Sequence, residues 1–255
     1  MVLDALASVC NQRQAVQEIV VVNDGSKDDT SEQIAARFPE VHLVELPGLG
    51  PGQARNAGAA EATGDAFMFL DSDDRWLPHH VHALAKVLND GFHVAYGTTR
   101  TIDEIQGGFF NIPDQPPGPE GDCYNAMARW CFTVPSAMAV SRHAFYETGG
   151  FGSEEFGEDW AFFLRLASRF SFGFARDAGP ITLRRLHQGS LCANPNRRQL
   201  LAIVNRLLDI VAEMDRQAPE NTGRLRQIAA WMTDHNKHWQ TVQEWYVAME
   251  KEGLL

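Results

Sequence analysis

Acidic side chains follow apolar segments at three places in this chain. Asp24 comes after a short β-branched run, the sequence DSDD at 71–74 comes after a second apolar run, and the pair ED at 158–159 begins a helical pattern. Short, uninterrupted β-branched runs are typical of strands that are buried on both faces of a parallel sheet. Ligands of open α/β sheets bind beyond the carboxyl ends of such strands. We therefore expect these acids to converge on one ligand site.

The group at 71–74 has the chemistry of a divalent-cation site. Carboxylates packed together repel one another unless a cation relieves the repulsion. Mg²⁺ and Mn²⁺ prefer oxygen ligands and commonly bridge one or two carboxylates to substrate phosphates. An EF-hand is excluded because the loop lacks its glycine and its closing glutamate. The alternative is an N-cap, but Pro78 leaves several residues between the acids and the next helix. We favour metal and phosphate binding over the cap.

The other two acidic positions also have structural interpretations. The sequence NDGS at 23–26 is good turn chemistry, and its serine or the aspartates beyond it could cap a helix near Asp28. Acids at 158–159 in the first turn of a helix stabilise its dipole by up to about 1 kcal/mol. Their functional interpretation is a general base at the rim of a pocket. The residue types alone leave both interpretations open.

The segment GLGPGQARNAGAAEATGD at 48–65 could supply the phosphate-binding half of the site. Its glycines permit close backbone approach, and Arg55 and Asn56, in the first turns of a helix, could meet a phosphate or an acceptor. The segment has neither the G-x-G-x-x-G order nor the Walker lysine, so a dinucleotide fold and a P-loop are not supported. His187 is, by default, a surface histidine.

Composition excludes several classes of protein. The formal net charge of -11, without a basic run, argues against a nucleic-acid partner. The four cysteines are far apart and form no C-x-x-C pair, so neither a zinc site nor a disulfide framework is indicated, and a reducing cytoplasm fits. No apolar run reaches the roughly 18 residues of a membrane span. We expect a cytoplasmic chain without a transmembrane segment that could still work at the inner face of the membrane.

Short strands alternate with helices over most of the chain, which predicts a largely parallel sheet covered by helices. Residues 93–99 are predicted to form one strand, and the Gly- and Pro-rich segment 106–122 is predicted to be a loop without strands. From Asn196 onward only helical periodicity remains, with patterns near 200–211, 225–232 and 239–249. We expect an α/β domain over 1–193 and a helical extension over 194–255, packed on that domain or on a partner, and a homodimer is not excluded.

Four motifs in this order resemble the family-2 inverting glycosyltransferases. They are EIVVVNDGSKDDT, GPGQARNAGAAEATGDAFMFLDSDD, GGFGSEEFGEDWAFFLRLA and RLHQGS, which together run from about Val2 to Ser190. The resemblance implies the α/β GT-A fold, a Rossmann-like, mixed and mainly parallel sheet flanked by helices, here with a C-terminal helical extension. It also implies transfer of a sugar from a nucleotide-sugar donor, with a UDP-sugar as the best prediction.

The resemblance assigns roles to individual residues. Asp159 matches the catalytic base, with Glu158 beside it, and the D-x-D motif would touch ribose and hold Mg²⁺ or Mn²⁺ with the donor diphosphate. The residues assigned to the nucleotide-sugar are Asp24, Gly25, Ser26, Arg55, Asn56, Asp71, Asp73, Arg185 and His187, and those assigned to the metal are Asp73, Asp74 and His187.

The chain departs from the family pattern in two ways. Met1 falls inside the helix that should follow the first, central strand, so either the true start lies upstream or the chain lacks that strand, and in the second case a wall of the donor site is expected to be missing. The Q-x-x-R-W signature of processive synthases is also absent, which favours transfer of a single sugar. The acceptor would be a saccharide, a lipid-linked molecule or another hydroxyl compound. A nucleotidyltransferase and a non-catalytic binding module are the alternatives.

Overall fold

The computed structural model describes residues 1–193, 195–214, 219–234 and 242–254. Helices and strands alternate up to residue 186, and only helices follow. The helices are α1 (Val2–Cys10), α2 (Thr30–Arg37), α3 (Pro51–Glu61), α4 (His80–Asn89), α5 (Tyr124–Met127), α6 (Arg142–Glu147), α7 (Glu158–Ala167), α8 (Arg197–Met214), α9 (Pro219–Asp234) and α10 (Val242–Lys251). The strands are β1 (Val20–Asp24), β2 (His42–Leu46), β3 (Ala66–Met68), β4 (Arg75–Trp76), β5 (Val94–Tyr96), β6 (Thr98–Asp103), β7 (Phe109–Ile112), β8 (Met138–Ser141), β9 (Phe172–Phe174) and β10 (Pro180–Leu186).

The strands form three hydrogen-bonded groups. Strands β1 and β2 form a parallel pair, a four-stranded sheet has the order β3-β8-β5-β9, and a second has the order β4-β10-β6-β7. Within the described residues, three pairings are parallel and four are antiparallel. The architecture is thus mixed α/β, as expected, but it is not mainly parallel, because the short strands β4, β7 and β8 all enter their sheets in the antiparallel sense.

Residues 93–99 form two strands in different sheets rather than the single predicted strand. Strand β5 ends at Tyr96, β6 begins at Thr98, and Gly97 lies between them. A Cβ atom on Gly97 would lie 2.6 Å from Cδ1 of Ile181, closer than van der Waals contact allows. Because only glycine fits against β10 here, the chain can cross from one sheet to the other at this residue.

The predicted loop 106–122 contains a strand, and that part of the prediction was wrong. Strand β7 pairs antiparallel with β6 from Thr99 opposite Ile112 to Ile102 opposite Phe109. Gly107 and Gly108 have φ of 84° and 92° and form the turn that precedes β7. The glycines marked the turn of a hairpin, not the absence of a strand.

Strands β1 and β3 each have one edge without a strand partner among the described residues. Strand β1 pairs with β2 only, and β3 pairs with β8 only. An unpaired edge exposes backbone N–H and C=O groups.

One apolar core joins the sheets to the C-terminal helices. Helix α7 is apolar on nearly every side, which is typical of a helix surrounded by protein. Helix α8 presents a buried stripe at helical spacing to that core, and the predicted helical patterns near 200–211 and 225–232 are confirmed as α8 and α9. Helix α10 confirms the third pattern from Val242 onward, and residues 239–241 of that prediction lie outside the described residues. The predicted division after residue 193 therefore falls within a shared core.

The sequence predicts no transmembrane segment. No helix in the described part of the chain is both long and apolar enough to span a bilayer.

Gly157 is where α8 meets the start of α7. It is the N-cap of α7 with φ 76°, and a Cβ atom there would lie 2.5 Å from Cγ1 of Ile203 on α8. We expect Gly157→Ala to lower the free energy of unfolding by about 1 to 2 kcal/mol for the positive φ and by about 1 to 3 kcal/mol more for the clash, measured by urea denaturation.

Gly149→Ala is the matched control. Gly149 also has a positive φ of 80°, but nothing lies within 4 Å of an added Cβ atom. It should show the backbone cost alone. Equal losses in the two variants would mean that the contact with Ile203 does not limit the packing of α8.

Candidate active site

The acidic clusters at 71–74 and 158–159 line one cavity of about 830 Å³. Residues 71–74 leave the end of β3, Glu158 and Asp159 begin α7, and Arg55 projects from the first turns of α3. Strand β10 adds further charged side chains, and α8 and α10 close the other side. The convergence expected from the sequence is therefore present for these two clusters.

Arg55 joins the two clusters. Its Nη2 donates to Oδ1 of Asp71 and its Nη1 donates to Oε1 of Glu158, both at 2.7 Å. The guanidinium also lies 5.1 Å from the ring centroid of Phe151. Two buried charge-assisted hydrogen bonds of this length fix the distance between the end of β3 and the start of α7.

The charges in this bridge depend on one another. Burial would lower the pKa of Arg55, but Asp71 and Glu158 more than offset it and hold the pKa above its ordinary value. Burial, and after it the charge of Asp159, raise the pKa of Glu158 to about 7, against the opposing effect of Arg55. The carboxylate of Glu158 thus accepts a hydrogen bond from Arg55. This contact favours a structural role, in which Glu158 holds Arg55 in place, over the predicted catalytic role.

Asp159 lines the cavity at the start of α7. Its Oδ1 accepts from the amide of Trp160 at 2.7 Å, and the side chain lines the cavity without an ion pair among the described residues. Burial raises the pKa of Asp159 above its ordinary value although Arg55 acts to lower it. A carboxylate with a raised pKa is a stronger base, which suits removal of a proton from a hydroxyl group.

Asp73 and His187 lie side by side. His187 Nε2 is 3.2 Å from Oδ2 of Asp73, and its Nδ1 accepts from the amide of Gly189 at 3.1 Å. Because Nδ1 is the acceptor, a neutral imidazole carries its proton on Nε2 and donates it to Asp73. In this arrangement the predicted metal ligand His187 serves Asp73 as a hydrogen-bond donor.

Asp74 is buried behind them. Its side chain is 3% exposed and accepts from the amide of Arg185 at 3.2 Å. Burial, and then the charge of Asp71, raise the pKa of Asp74 to about 7. Asp74 therefore holds β10 against the acidic loop, and it contributes to the cavity lining from a buried position.

The donor set is compatible with a divalent cation that is held mainly by substrate. Among the described residues, no group of three or more His, Cys, Asp or Glu side chains could enclose a metal ion. Asp71 is paired with Arg55 and Asp74 is buried, so Asp73 is the carboxylate of the motif that remains for a cation. One carboxylate together with substrate phosphates is a common way to hold Mg²⁺.

Strand β10 presents two arginines in opposite directions. Arg185 also lines the cavity, but its guanidinium pairs with Glu104 at 2.8 Å. Arg184 is partly buried in the cavity wall. Burial acts to lower the pKa of Arg184, but Cys192, Asp74, Asp71 and Asp159 raise it, and the pKa lies above its ordinary value. Arg184 makes no ion pair with any described carboxylate. It is therefore the cation of β10 that is free to meet an anion.

The predicted residues of the first cluster lie apart from the cavity. Oδ1 of Asp24 accepts from the amides of Gly48 and Leu49, and Oδ2 accepts from that of Gly50. Gly25 and Ser26 belong to the same turn, and none of the three lines the cavity. Asp24 organises the glycine-rich loop, which corresponds to the turn interpretation of this stretch.

Asn56 is also engaged elsewhere. Its Nδ2 donates to the carbonyl of Phe151 and its Oδ1 accepts from the amide of the same residue, both at 2.9 Å. The amide group is fully used in holding this loop, so the structure does not bring Asn56 to a phosphate.

The family assignment comes from comparison with known proteins. Residues 1–149 match the family model for glycosyl transferase family 2. The chain belongs to this family. An uncharacterized glycosyltransferase of Nostoc sp. is 32% identical over 54% of the chain and 46% of its own length, and an uncharacterized glycosyltransferase of Bacillus subtilis is 28% identical over 66% and 63%. The family-2 chain thus spans less than two thirds of the length of these relatives.

Solved structures show the same fold. The structure of Staphylococcus aureus TarS in complex with UDP-GlcNAc superposes with a TM-score of 0.67 at 17% identity, over 91% of this chain and 67% of the other. At this identity the likeness establishes the fold, which is GT-A. The expected family and fold are confirmed.

Sequence reasoning missed Arg184 and the C-terminal wall of the site. A period of two along β10 places Arg184 on the same face as Thr182 and Leu186, which are both buried, so alternation could have distinguished it from Arg185. No pattern in the sequence of this family-2 chain predicted that α10 would line the cavity, because that position depends on contacts between distant segments.

The Arg55 bridge predicts a large loss of stability when its cation is removed. Arg55→Met leaves the buried carboxylate of Glu158 without a partner, and we expect the free energy of unfolding to fall by about 3 to 5 kcal/mol. Arg75→Met is the control, because Arg75 and its partner Asp4 are 51% and 60% exposed. It should cost less than about 1 kcal/mol. Similar losses in urea denaturation would show that the bridge is not a buried constraint.

Proposed function

We propose that this family-2 chain is a metal-dependent inverting glycosyltransferase that moves one sugar from a nucleotide-sugar, with UDP as the predicted nucleotide, to an acceptor hydroxyl. The observation that carries the proposal is the position of Asp159. It lies in one cavity with Asp73, His187 and the unpaired cation Arg184, so a base and an anion-binding group are available to the same bound molecules.

Asp159 would act on the acceptor. It removes the proton of the acceptor hydroxyl while that oxygen attacks the anomeric carbon of the donor sugar. The bond from the anomeric carbon to the diphosphate oxygen breaks, and its electron pair leaves with the nucleoside diphosphate. Direct displacement inverts the configuration at that carbon.

The groups on β10 and the acidic loop would act on the donor. Arg184 would lie against the diphosphate and stabilise the charge that develops on it. His187 orients Asp73 through the hydrogen bond to Oδ2, and Asp73 would hold Mg²⁺ or Mn²⁺. When bound, the cation neutralises charge on the leaving diphosphate.

A non-catalytic nucleotide-binding module is the second candidate. It is favoured by the position of Asp24, whose carboxylate is used by the glycine-rich loop and does not line the cavity. Measurement of nucleoside diphosphate release separates the two candidates, and release of pyrophosphate would instead indicate a nucleotidyltransferase. A cytoplasmic location, peripheral contact with the membrane and a homodimer remain predictions.

The base assignment predicts the effect of Asp159→Asn. Transfer should fall by about 10²- to 10⁴-fold, the usual contribution of a general base, while UDP affinity changes little. The base acts only when ionised, so the wild-type rate should fall as pH drops through the pKa of Asp159. Because that pKa is raised, the fall should begin at a higher pH than for an ordinary aspartate.

Rate against pH, with UDP release as the readout, checks this prediction. Asp90→Asn, at an exposed position after α4, is the control for loss of one negative charge. A rate in Asp159→Asn within twofold of wild type would remove Asp159 as the base.

The two arginines of β10 give a second test, on donor binding. We expect UDP to bind more tightly with Mn²⁺ than without it in calorimetry. Arg184→Met should weaken that binding by about 10- to 100-fold, the range for one lost charge-assisted hydrogen bond. Arg185→Met should have a smaller effect, because Arg185 already pairs with Glu104. A larger loss of UDP affinity in Arg185→Met than in Arg184→Met would support the assignment of Arg185 to the donor that was made from the sequence. Absence of UDP binding to the wild type would count against the proposed donor.

A further inference from the structure

The cavity has a second wall that the proposed chemistry does not use. It is built from α8, α10 and two connecting segments, and its side chains are apolar or aromatic: Trp130, Phe156, Ile203, Val242, Trp245 and Tyr246. The acidic residues at 71–74 and 158–159 lie on the other wall, and Arg129 and Glu250 are the charged residues that this side contributes to the lining. A diphosphate is poorly stabilised by apolar side chains, so this wall is available to the other substrate.

The apolar wall adjoins the proposed base. The ring centroids of Trp160 and Tyr246 are 5.9 Å apart. Trp160 follows Asp159 directly in α7. The hydroxyl of Tyr246 accepts from the amide of Cys131 at 3.1 Å, which ties α10 to the segment at 131–134. A molecule that rests on this wall can therefore present a hydroxyl to Asp159.

Two buried polar groups in the wall have no hydrogen-bond partner among the described residues. They are the hydroxyl of Thr133 and the indole N–H of Trp245, and both side chains are 1% exposed and line the cavity. Buried polar groups in native proteins are nearly always paired, so an unpaired one needs an explanation. Two of them in one cavity wall are explained by a ligand that carries an oxygen atom.

The apolar surface continues out of the cavity. Leu191 and Val247 line its mouth and are 59% and 38% exposed. Val247 and Phe110 also line an adjoining groove of about 560 Å³ between β7 and α10, together with Phe109, which is 67% exposed. The rest of that groove is mainly polar and includes Asp103, Gln106, Gln243, Glu244, Lys251 and Glu252. An elongated apolar group bound at the wall could extend along this surface.

We infer that the acceptor is an uncharged alcohol whose hydroxyl is carried by an apolar body, alkyl or aryl, that lies against the wall of α8 and α10. Thr133 and Trp245 contact the acceptor oxygen atoms, and Asp159 takes the hydroxyl proton. The inference rests on the proposed function. A free oligosaccharide fits less well, because each of its many hydroxyl groups would need a partner and the wall offers two unpaired ones. An anionic acceptor is opposed by the acidic wall and the net charge of -11.

The test measures acceptor binding without any donor. Calorimetry of the full chain with 6-phenylhexan-1-ol should show binding, and maltotriose should bind more weakly. Thr133→Val, which removes the hydroxyl and keeps the shape, should weaken alcohol binding by about 2- to 12-fold, the range for one hydrogen bond, and leave UDP affinity unchanged. Thr133→Ser should keep the wild-type affinity.

Thr101→Val is the matched control. The hydroxyl of Thr101 is also buried and without a hydrogen-bond partner, but the residue lies on β6 and does not line the cavity. This variant should bind the alcohol as the wild type does. Equal effects of the two valine substitutions would overturn the role of Thr133 in binding.

The outcomes separate this inference from the proposed function. Tighter binding of maltotriose than of the alcohol, or no effect of Thr133→Val, would overturn the inference even if UDP binds. Absence of UDP binding together with alcohol binding that depends on Thr133 would overturn the proposed function and leave the apolar subsite in place. Transfer from a UDP-sugar to the alcohol, sensitive to Thr133→Val, would support both.

Discussion

The site depends on one buried cation, Arg55, held between two carboxylates that come from different parts of the chain. Asp71 ends the segment after β3, and Glu158 begins α7. Like charges at these two positions would repel one another if the guanidinium were absent. The bridge therefore does more than add two hydrogen bonds. It permits three acidic residues, Asp71, Glu158 and Asp159, to occupy one cavity, and it fixes the distance between the acidic loop at 71–74 and the proposed base.

The arginines of the site differ in whether they are paired with carboxylates. Both terminal nitrogens of Arg55 donate to carboxylates and Arg185 is paired with Glu104, so these two arginines are less available to a ligand than an unpaired one. Arg184 is buried near several carboxylates without pairing with any described one. An unpaired cation in such a place is stabilised by the surrounding acids and still attracts a phosphate that arrives with a divalent cation. The acidic character of the chain is therefore compatible with the proposed binding of an anionic donor.

The sequence was sufficient where the signal is local and periodic. Short apolar runs followed by acids located β1 and β3, and the acids at the start of a helical pattern located α7. The convergence of 71–74 with Glu158 and Asp159 could be predicted because strand ends and helix starts have recognisable residue types. It was insufficient where one residue type serves two purposes. Asp24 suits a turn as well as a nucleotide pocket, and only the positions of three backbone amides at 48–50 show which use it has here. The partners of Arg55 lie 16 and 103 residues away along the chain, and no local pattern encodes such a contact.

The C-terminal helices connect the chemistry of the base to the choice of acceptor. Ile203 packs on Gly157, the residue before Glu158, and Tyr246 packs on Trp160, the residue after Asp159. The start of α7 is thus held from one side by the ion pair with Arg55 and from the other by apolar contacts with α8 and α10. Because the same helices also form the apolar wall of the cavity, a change in that wall alters both the position of the base and the surface that the acceptor meets. Acceptor chemistry and base position are therefore expected to change together in this fold.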